Sequence, residues 1–171
     1  MKNQFEEQYY CEDFDEVVTI VAKVVTKELV DHIFDTCYPD VIYFDETVEE
    51  FGTRAFESRN MGIVDLDSAK NVKALGECCF ESAYNIDCNN AFQNVVYVGK
   101  GCFRNAIILG KVEMPKVEEI PERAFWNVDA YEIIVKNAEK IDTTSFKYSH
   151  VENGIQIMDV MDKIMKSAII M

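Results

Sequence analysis

Large apolar residues recur along this chain at intervals of 21 to 24 residues, far longer than the period of a helix or a strand. The clearest column consists of six phenylalanines, which are Phe34, Phe56, Phe80, Phe103, Phe125 and Phe146. Five positions before each of them stands a second large apolar residue: Leu29, Phe51, Leu75, Val98, Ile120 and Ile141. A fixed interval in the twenties is typical of a solenoid, in which every turn contributes a strand and a compact return.

Short stretches of alternating apolar residues follow the phenylalanines and predict the strands of this solenoid. The inward-facing positions are Ile42 and Phe44, Val64 and Leu66, Ile86, Cys88 and Asn90, Val112 and Met114, Ile133 and Val135, and Ile155 and Ile157. The residues between them are expected on the open face: Tyr43, Asp65, Asn89, Glu113, Ile134 and Gln156. The pattern therefore predicts an α/β repeat with one parallel sheet on one face.

Three segments carry a resemblance to a known family. Residues 48–56, 72–80 and 117–125 read VEEFGTRAF, VKALGECCF and VEEIPERAF. They resemble the BspA-type leucine-rich repeat, whose pattern is roughly Val-x-x-Ile-Gly-x-x-Ala-Phe followed by a strand that ends in Leu-Pro. Val112 to Pro115 is similar to that strand end. The resemblance implies a right-handed solenoid with an interaction role and no catalytic residues.

The two ends of the chain depart from the repeat. Residues 1–25 combine aromatic with acidic side chains and are expected to form an acidic N-terminal cap, in which 17–22 read as a strand. Residues 26–157 hold about six turns. Residues 158–171 place methionine and isoleucine at spacings of three and four, which predicts a C-terminal capping helix. A homodimer formed through this methionine-rich face is left open.

The chain has 171 residues, is 49% hydrophobic and carries a net charge of −14, enough apolar material for the core of one domain. Residues 1–50 hold 14 acidic and 3 basic side chains, so most of the acidity lies at the N-terminal end. This charge disfavours direct binding of nucleic acid, and it would attract a basic protein partner. The alternative is that the acidic residues only keep the exposed N-terminal end soluble. No apolar stretch is long enough to span a membrane, and none follows the N-terminus as in a signal peptide, so a cytoplasmic location is expected.

No catalytic motif, cofactor or metal site is predicted. The six cysteines include no C-x-x-C pair, and two of them, Cys79 and Cys102, stand in a column that Ala55 and Ala124 fill elsewhere. Reduced, structural cysteines are therefore favoured, with Cys78 as the alternative candidate for a reactive thiol. The two histidines lie about five turns apart and are too distant to act as a pair.

The candidate contact residues fall into two groups. The expected sheet face carries Tyr43, Asp45, Asp65, Asp67, Asn89, Glu113 and Ile134. Trp126 follows the phenylalanine column at a position that is polar in other turns, and tryptophan is enriched in interface hot spots. Local packing of Trp126 against the solenoid surface is the alternative.

Two hypotheses about function follow. The first is a non-enzymatic module that presents the sheet face and the acidic N-terminal end to a protein partner. The second is an inhibitor, encoded by a phage or virus, that imitates nucleic-acid charge and blocks a host defence enzyme. Steep weakening by salt, together with competition by DNA or RNA, would distinguish the second hypothesis from the first.

Overall fold

The computed structural model describes residues 4–12 and 16–157, which form a β-solenoid of about six turns. Within these residues lie one α-helix, α1 (Lys27–Thr36), and one 3₁₀-helix (Leu66–Ser68). The strands are β1 Tyr9–Glu12, β2 Val17–Ile20, β3 Val24–Val25, β4 Val41–Phe44, β5 Glu50–Phe51, β6 Ala74–Leu75, β7 Tyr97–Val98, β8 Ile107–Glu113, β9 Glu119–Ile120, β10 Asp129–Val135, β11 Lys140–Ile141, β12 His150–Val151 and β13 Ile155–Ile157.

The strands stack in two arrays instead of the single parallel sheet that the pattern predicts. In the first array β2 pairs with β4, isolated bridges link the next turns, and β8, β10, β12 and β13 continue the stack. All of these pairings are parallel, and β1 adds to β2 in the antiparallel sense. The second array contains the short strands, in the order β3-β5-β6-β7, followed by the separate pair β9-β11. The sequence did not predict the second array because its strands are two residues long, and alternation of apolar and polar residues can be recognised only over a longer segment.

The apolar columns form one continuous core between the arrays. Phe51, Leu75 and Val98 lie in adjacent parallel strands and are buried, as their spacing predicts. Inward residues of the first array, such as Ile42 and Val112, are buried as well. Asn90 was expected to face inward with Ile86 and Cys88, but it is exposed. The prediction for Asn90 was wrong because the chain enters a turn after Cys88 and the alternation ends there.

The first turn differs from the others because α1 takes the place of a tight corner. Thr26 caps the helix by accepting a hydrogen bond from the Leu29 amide at 3.2 Å, and no glycine or proline interrupts 27–36. The helix changes the number of residues between the short strand and the phenylalanine of this turn. Val25, not Leu29, therefore pairs with Phe51. Leu29 is buried one helical turn later.

The phenylalanine column becomes a ladder of stacked rings. Phe56, Phe80, Phe103, Phe125 and Phe146 stack in that order, with ring centroids 5.1 to 5.3 Å apart and planes within 11° of parallel. Phe34 stands outside the ladder because α1 carries it, and the Arg59 guanidinium lies over its ring at 4.8 Å. The ladder fixes the register of five successive turns.

Two glycines, Gly76 and Gly99, allow the turns to approach closely on the second array. A Cβ added to Gly76 would lie 2.5 Å from the Gly52 carbonyl carbon, and one added to Gly99 would lie 2.4 Å from the Glu77 amide nitrogen. Glycine, which has no Cβ, is therefore required at these two positions for the close approach of the main chains.

Pro121 occupies the next position in this glycine column. In neighbouring turns the residue of this column donates its N–H to the previous strand, as Gly99 does to the Leu75 carbonyl at 2.8 Å and Asp142 to the Ile120 carbonyl at 2.9 Å. Proline has no N–H, so the Val98 carbonyl receives no such bond from Pro121. The second array is interrupted at this point, between β7 and β9.

The predicted caps are only partly described. Residues 158–171, where the capping helix and the homodimer face were predicted, lie outside the described residues. Strand β2 confirms the predicted strand over its first four residues, 17–20, and residues 21 and 22 lie beyond it. Because β2 and β3 pair with β4 and β5, the stack already includes part of the segment expected to be a cap.

Candidate functional site

A row of exposed apolar side chains lies on the outer face of the first array. We call it the apolar row; its residues are Tyr84, Ile107, Leu109 and Tyr131, exposed by 42%, 48%, 61% and 46%. Ile107 and Leu109 point outward because Ile108 between them faces the core. Sequence reasoning missed this row because it began the strand at Val112, whereas β8 begins five residues earlier.

A groove beside Leu109 is lined by aspartates. This acidic groove encloses about 310 Å³, and Asp40, Asp65, Asp67 and Asp87 contribute to its walls together with Leu109. Among the residues that line it, none carries a positive charge. Within the described part of the chain, none of these four carboxylates forms an ion pair. The groove therefore combines uncompensated negative charge with an apolar wall.

Hydrogen bonds hold three of these aspartates in place. Asp65 caps the 3₁₀-helix by accepting from the Ser68 amide at 3.2 Å. Asp67 accepts from the Asn90 amide of the next turn at 3.0 Å, and Asp87 accepts from the Asn89 side chain at 2.6 Å. Each carboxylate has a second oxygen with which it can accept from a ligand.

Tyr43 and Asp45, two of the predicted contact residues, lie at the N-terminal part of the same array. Tyr43 points outward from β4 and is exposed, as its place between Ile42 and Phe44 predicts. Asp45 is half-buried and accepts a hydrogen bond from the Thr47 amide at 2.9 Å, so one of its oxygens is used to shape the turn.

Asn89 links two turns of the stack. Its side-chain oxygen accepts from the Lys111 amide at 3.1 Å, and its amide nitrogen donates to Asp87. A Cβ on Gly110 would come within 2.6 Å of that same oxygen, so the absence of a side chain at Gly110 leaves room for the Asn89 side chain. Glu113 is half-buried and forms an ion pair with Lys111 at 3.0 Å. The polar groups of Asn89 and Glu113 are thus engaged within the solenoid.

Ile134 was predicted to be exposed on the sheet face, and the structure shows it buried. It lies between Glu113 and Gln156 in register, as expected, but only 9% of it is exposed. It is therefore buried and does not belong to the accessible face. Its neighbour Glu132 is buried too, and it accepts from the side chains of Asn153 at 2.9 Å and Gln156 at 2.6 Å.

Trp126 is half-buried on another side of the solenoid. Its ring meets that of Tyr148 edge-on at 4.7 Å, and the Arg123 guanidinium lies 5.4 Å from its centroid. These contacts correspond to the local-packing alternative for Trp126. The residue stands apart from the acidic groove, since none of its ring partners lines that groove.

A buried carboxylate, Glu81, lies at the centre of a polar cluster with two arginines and a cysteine. Glu81 accepts from the Arg104 Nε at 2.8 Å, and Arg54 lies 3.9 Å from its other oxygen. Burial opposes its ionisation, but hydrogen bonds with Cys78 and Arg104 and the charges of both arginines outweigh burial, so the pKa of Glu81 is lowered. Burial, together with Glu81, raises the pKa of Cys78 to about 11, which argues against Cys78 as a reactive thiolate.

The described residues bring together no group of three or more His, Cys, Asp or Glu side chains that could hold a metal ion. Within the same part of the chain, no helix has the length and apolarity needed to cross a bilayer.

Comparison with known proteins gives one match. The sequence model of a family described as a BspA type leucine rich repeat region matches residues 7–132 in six copies. No curated protein and no solved structure matches the chain.

Proposed function

Since the chain belongs to the BspA-type leucine-rich repeat family, we propose that it is a non-enzymatic protein-interaction module whose contact surface is the acidic groove with the adjoining apolar row. The observation that carries this proposal is the coincidence of four large exposed apolar side chains with four aspartates that form no ion pair within the described residues. The family itself is generally a repeat module without enzymatic activity.

The apolar row supplies the contact area of the proposed surface. Tyrosine is enriched in protein interfaces because it combines a large rigid ring with a polar end, and the row contains Tyr84 and Tyr131. Leu109, exposed by 61%, is the most exposed member and also forms a wall of the groove. Burying such a side chain contributes about 1.5–3 kcal/mol to association.

The acidic groove determines the chemistry of the partner. A lysine or arginine side chain that enters it gains the attraction of several carboxylates at once, and its alkyl stem can pack on Leu109. The partner is therefore a protein segment in which a basic residue stands beside large apolar residues. An extended segment suits this site because both features lie on one strand array.

Selection from a random peptide library, with the whole chain as bait, tests the proposal. We expect the enriched peptides to carry lysine or arginine next to apolar residues. Leu109→Asp should weaken the binding of an enriched peptide at least about tenfold, since it removes the apolar wall on which the peptide's apolar side chains pack and sets a charged group against them. Asp87→Lys should weaken it by a comparable factor because it reverses a charge in the groove.

Val96→Asp is the matched control, because Val96 is also an exposed aliphatic residue but lies beside the second array. It should leave peptide binding unchanged. Peptides without basic residues, or equal weakening by Val96→Asp and Leu109→Asp, would contradict the proposed surface.

The nucleic-acid-mimic hypothesis stays a prediction. It requires a partner whose binding competes with DNA or RNA and weakens steeply with salt. A competition assay at low and high salt with any identified partner would test it separately.

A further inference from the structure

Two cysteines from different elements meet near the N-terminal end of the described solenoid. Cys11 lies in β1 and Cys37 directly follows α1 as its C-cap residue, and their sulfur atoms are 3.9 Å apart. Regular hydrogen bonding holds both main chains: Cys11 pairs with Val18 of β2, and the Cys37 amide donates to the Ile33 carbonyl at 2.9 Å. The proximity of the two thiols is thus fixed by a strand and a helix.

We propose that Cys11 and Cys37 form an intramolecular disulfide when the protein meets a small-molecule disulfide such as oxidised glutathione. A disulfide bond is about 2.05 Å long, so the two sulfurs must approach each other by about 2 Å. Rotation about the Cα–Cβ bond carries a sulfur through a displacement of this size between staggered positions. The bond would join segments 26 residues apart in the chain.

The different exposure of the two thiols sets the order of the steps. Cys11 is only partly buried, whereas Cys37 is buried, with 8% of it exposed. The Cys11 thiolate attacks one sulfur of the reagent and releases one thiol, which leaves a mixed disulfide on Cys11. The Cys37 thiolate then attacks the Cys11 sulfur and releases the second thiol. Two protein thiols thereby lose two electrons and two protons, and the reagent gains them as two thiol molecules.

The other cysteines are poorer competitors for the reagent. Cys79, Cys88 and Cys102 are buried, and burial raises the pKa of the Cys88 and Cys102 thiols well above the ordinary value. The raised pKa of Cys78 suppresses its thiolate in the same way. Reaction is therefore directed to the pair formed by Cys11 and Cys37.

The disulfide would clamp the β1 segment against α1. β1 already touches α1 through Tyr9, whose hydroxyl lies 3.1 Å from the His32 Nε2. Phe5, in the turn before β1, lies with its ring 4.9 Å from the His32 ring. A covalent bond beside these contacts would keep the N-terminal strands attached when thermal motion opens the end of the stack.

Treatment of the full chain with oxidised glutathione at mildly alkaline pH tests this inference. We expect a mass loss of about 2 Da and a fall in the number of titratable thiols by two. Trypsin cleavage after Lys2, Lys23, Lys27 and Arg54 places Cys11 in residues 3–23 and Cys37 in residues 28–54. The two peptides should migrate as one linked species that a reductant separates. The melting temperature should rise by about 5–10 °C.

Three variants complete the experiment. Cys11→Ser and Cys37→Ser should each abolish the linked peptide, whereas Cys88→Ser, which removes a thiol from elsewhere in the core, should leave it unchanged. If Cys37→Ser fails to fold, the result for Cys11→Ser still decides the question, because Cys11 is only partly buried and a serine there should be tolerated. A lasting glutathione adduct on Cys11, a link between other cysteines, or no reaction would each overturn the inference.

Discussion

The rings of Phe80 and Phe103 lie 5.2 Å apart with only 6° between their planes, although the two residues belong to successive turns of the chain. Phe56 stacks on the other side of Phe80 at 5.3 Å. A repeat that is visible only as an interval in the sequence is therefore a physical column of rings in the fold. Each ring fixes the register of its turn against the turns above and below it.

Truncation of a central ring should be costly. Phe80 is fully buried and stacks on both sides, so Phe80→Ala should lower the free energy of unfolding by about 3–5 kcal/mol. Phe146→Ala should cost less because Phe146 is half-buried and stacks on one ring in the described ladder. Tyr97→Ala, at an exposed aromatic residue, is the control. Urea denaturation measures all three, and equal losses would contradict the ladder as a source of stability.

Glycine in the second array should be irreplaceable where turns approach closely. Gly76→Ala should destabilise the protein by about 1–3 kcal/mol or more, because the new Cβ meets main-chain atoms that cannot move independently. Gly62→Ala is the control, since its Cβ would lie 3.2 Å from the end of the Asn60 side chain. In thermal unfolding, Gly76→Ala should have a clearly lower melting temperature than Gly62→Ala. An unchanged melting temperature for Gly76→Ala would contradict the close approach of the turns.

Asn89 and Gly110 should behave as a coupled pair. Gly110→Ala pushes against the Asn89 oxygen and should break its bond with the Lys111 amide, at a cost of about 1 kcal/mol. In an Asn89→Ala background that oxygen is absent, so Gly110→Ala should then cost much less. A double-mutant cycle measures the coupling, and strictly additive effects would show that the two residues act independently.

Glu81 should make stability depend on pH at the acidic end of the range. Its pKa is lower in the folded protein than the ordinary 4.5, so its ionised form stabilises the fold above that pH. The advantage of the native protein over Glu81→Gln should be full above pH 4.5 and should vanish as the pH falls through the folded pKa. Denaturation at a series of pH values, with Glu119→Gln as a surface control, measures this. An advantage that persisted at low pH would rule out ionisation as its cause.

The sequence predicted the repeat and its core because both depend on residues that recur in every turn. Phe51, Leu75 and Val98 are buried in equivalent positions, and no knowledge of partner strands was needed to place them. The same reasoning failed in the first turn, where α1 adds residues that shift Leu29 out of register with Phe51. A constant repeat interval identifies equivalent residues only as long as the corner of every turn contains a similar number of residues.

The candidate site was only partly predictable. Aspartates such as Asp65 and Asp67 were identified, but the acidic groove requires residues from several turns to converge, and a repeat interval does not give their distances. Leu109 and Tyr131 were missed because their half of each long strand lies before the apolar pair that marked the strand. Ile134 was assigned to the open face by alternation, which gives the direction of a side chain but not what covers it.

Pro121 marks the boundary at which the strand pairing of the second array stops, and this boundary has a consequence for how the stack bends. The turns on its two sides are joined by the pairing of β8 with β10 and by the stacking of Phe103 on Phe125, but β7 and β9 are not paired. A boundary that is joined on two sides and unpaired on the third is expected to act as a hinge, opening along the unpaired side and resisting sliding. Bending of the stack is therefore expected to concentrate at this one position instead of spreading evenly along its length.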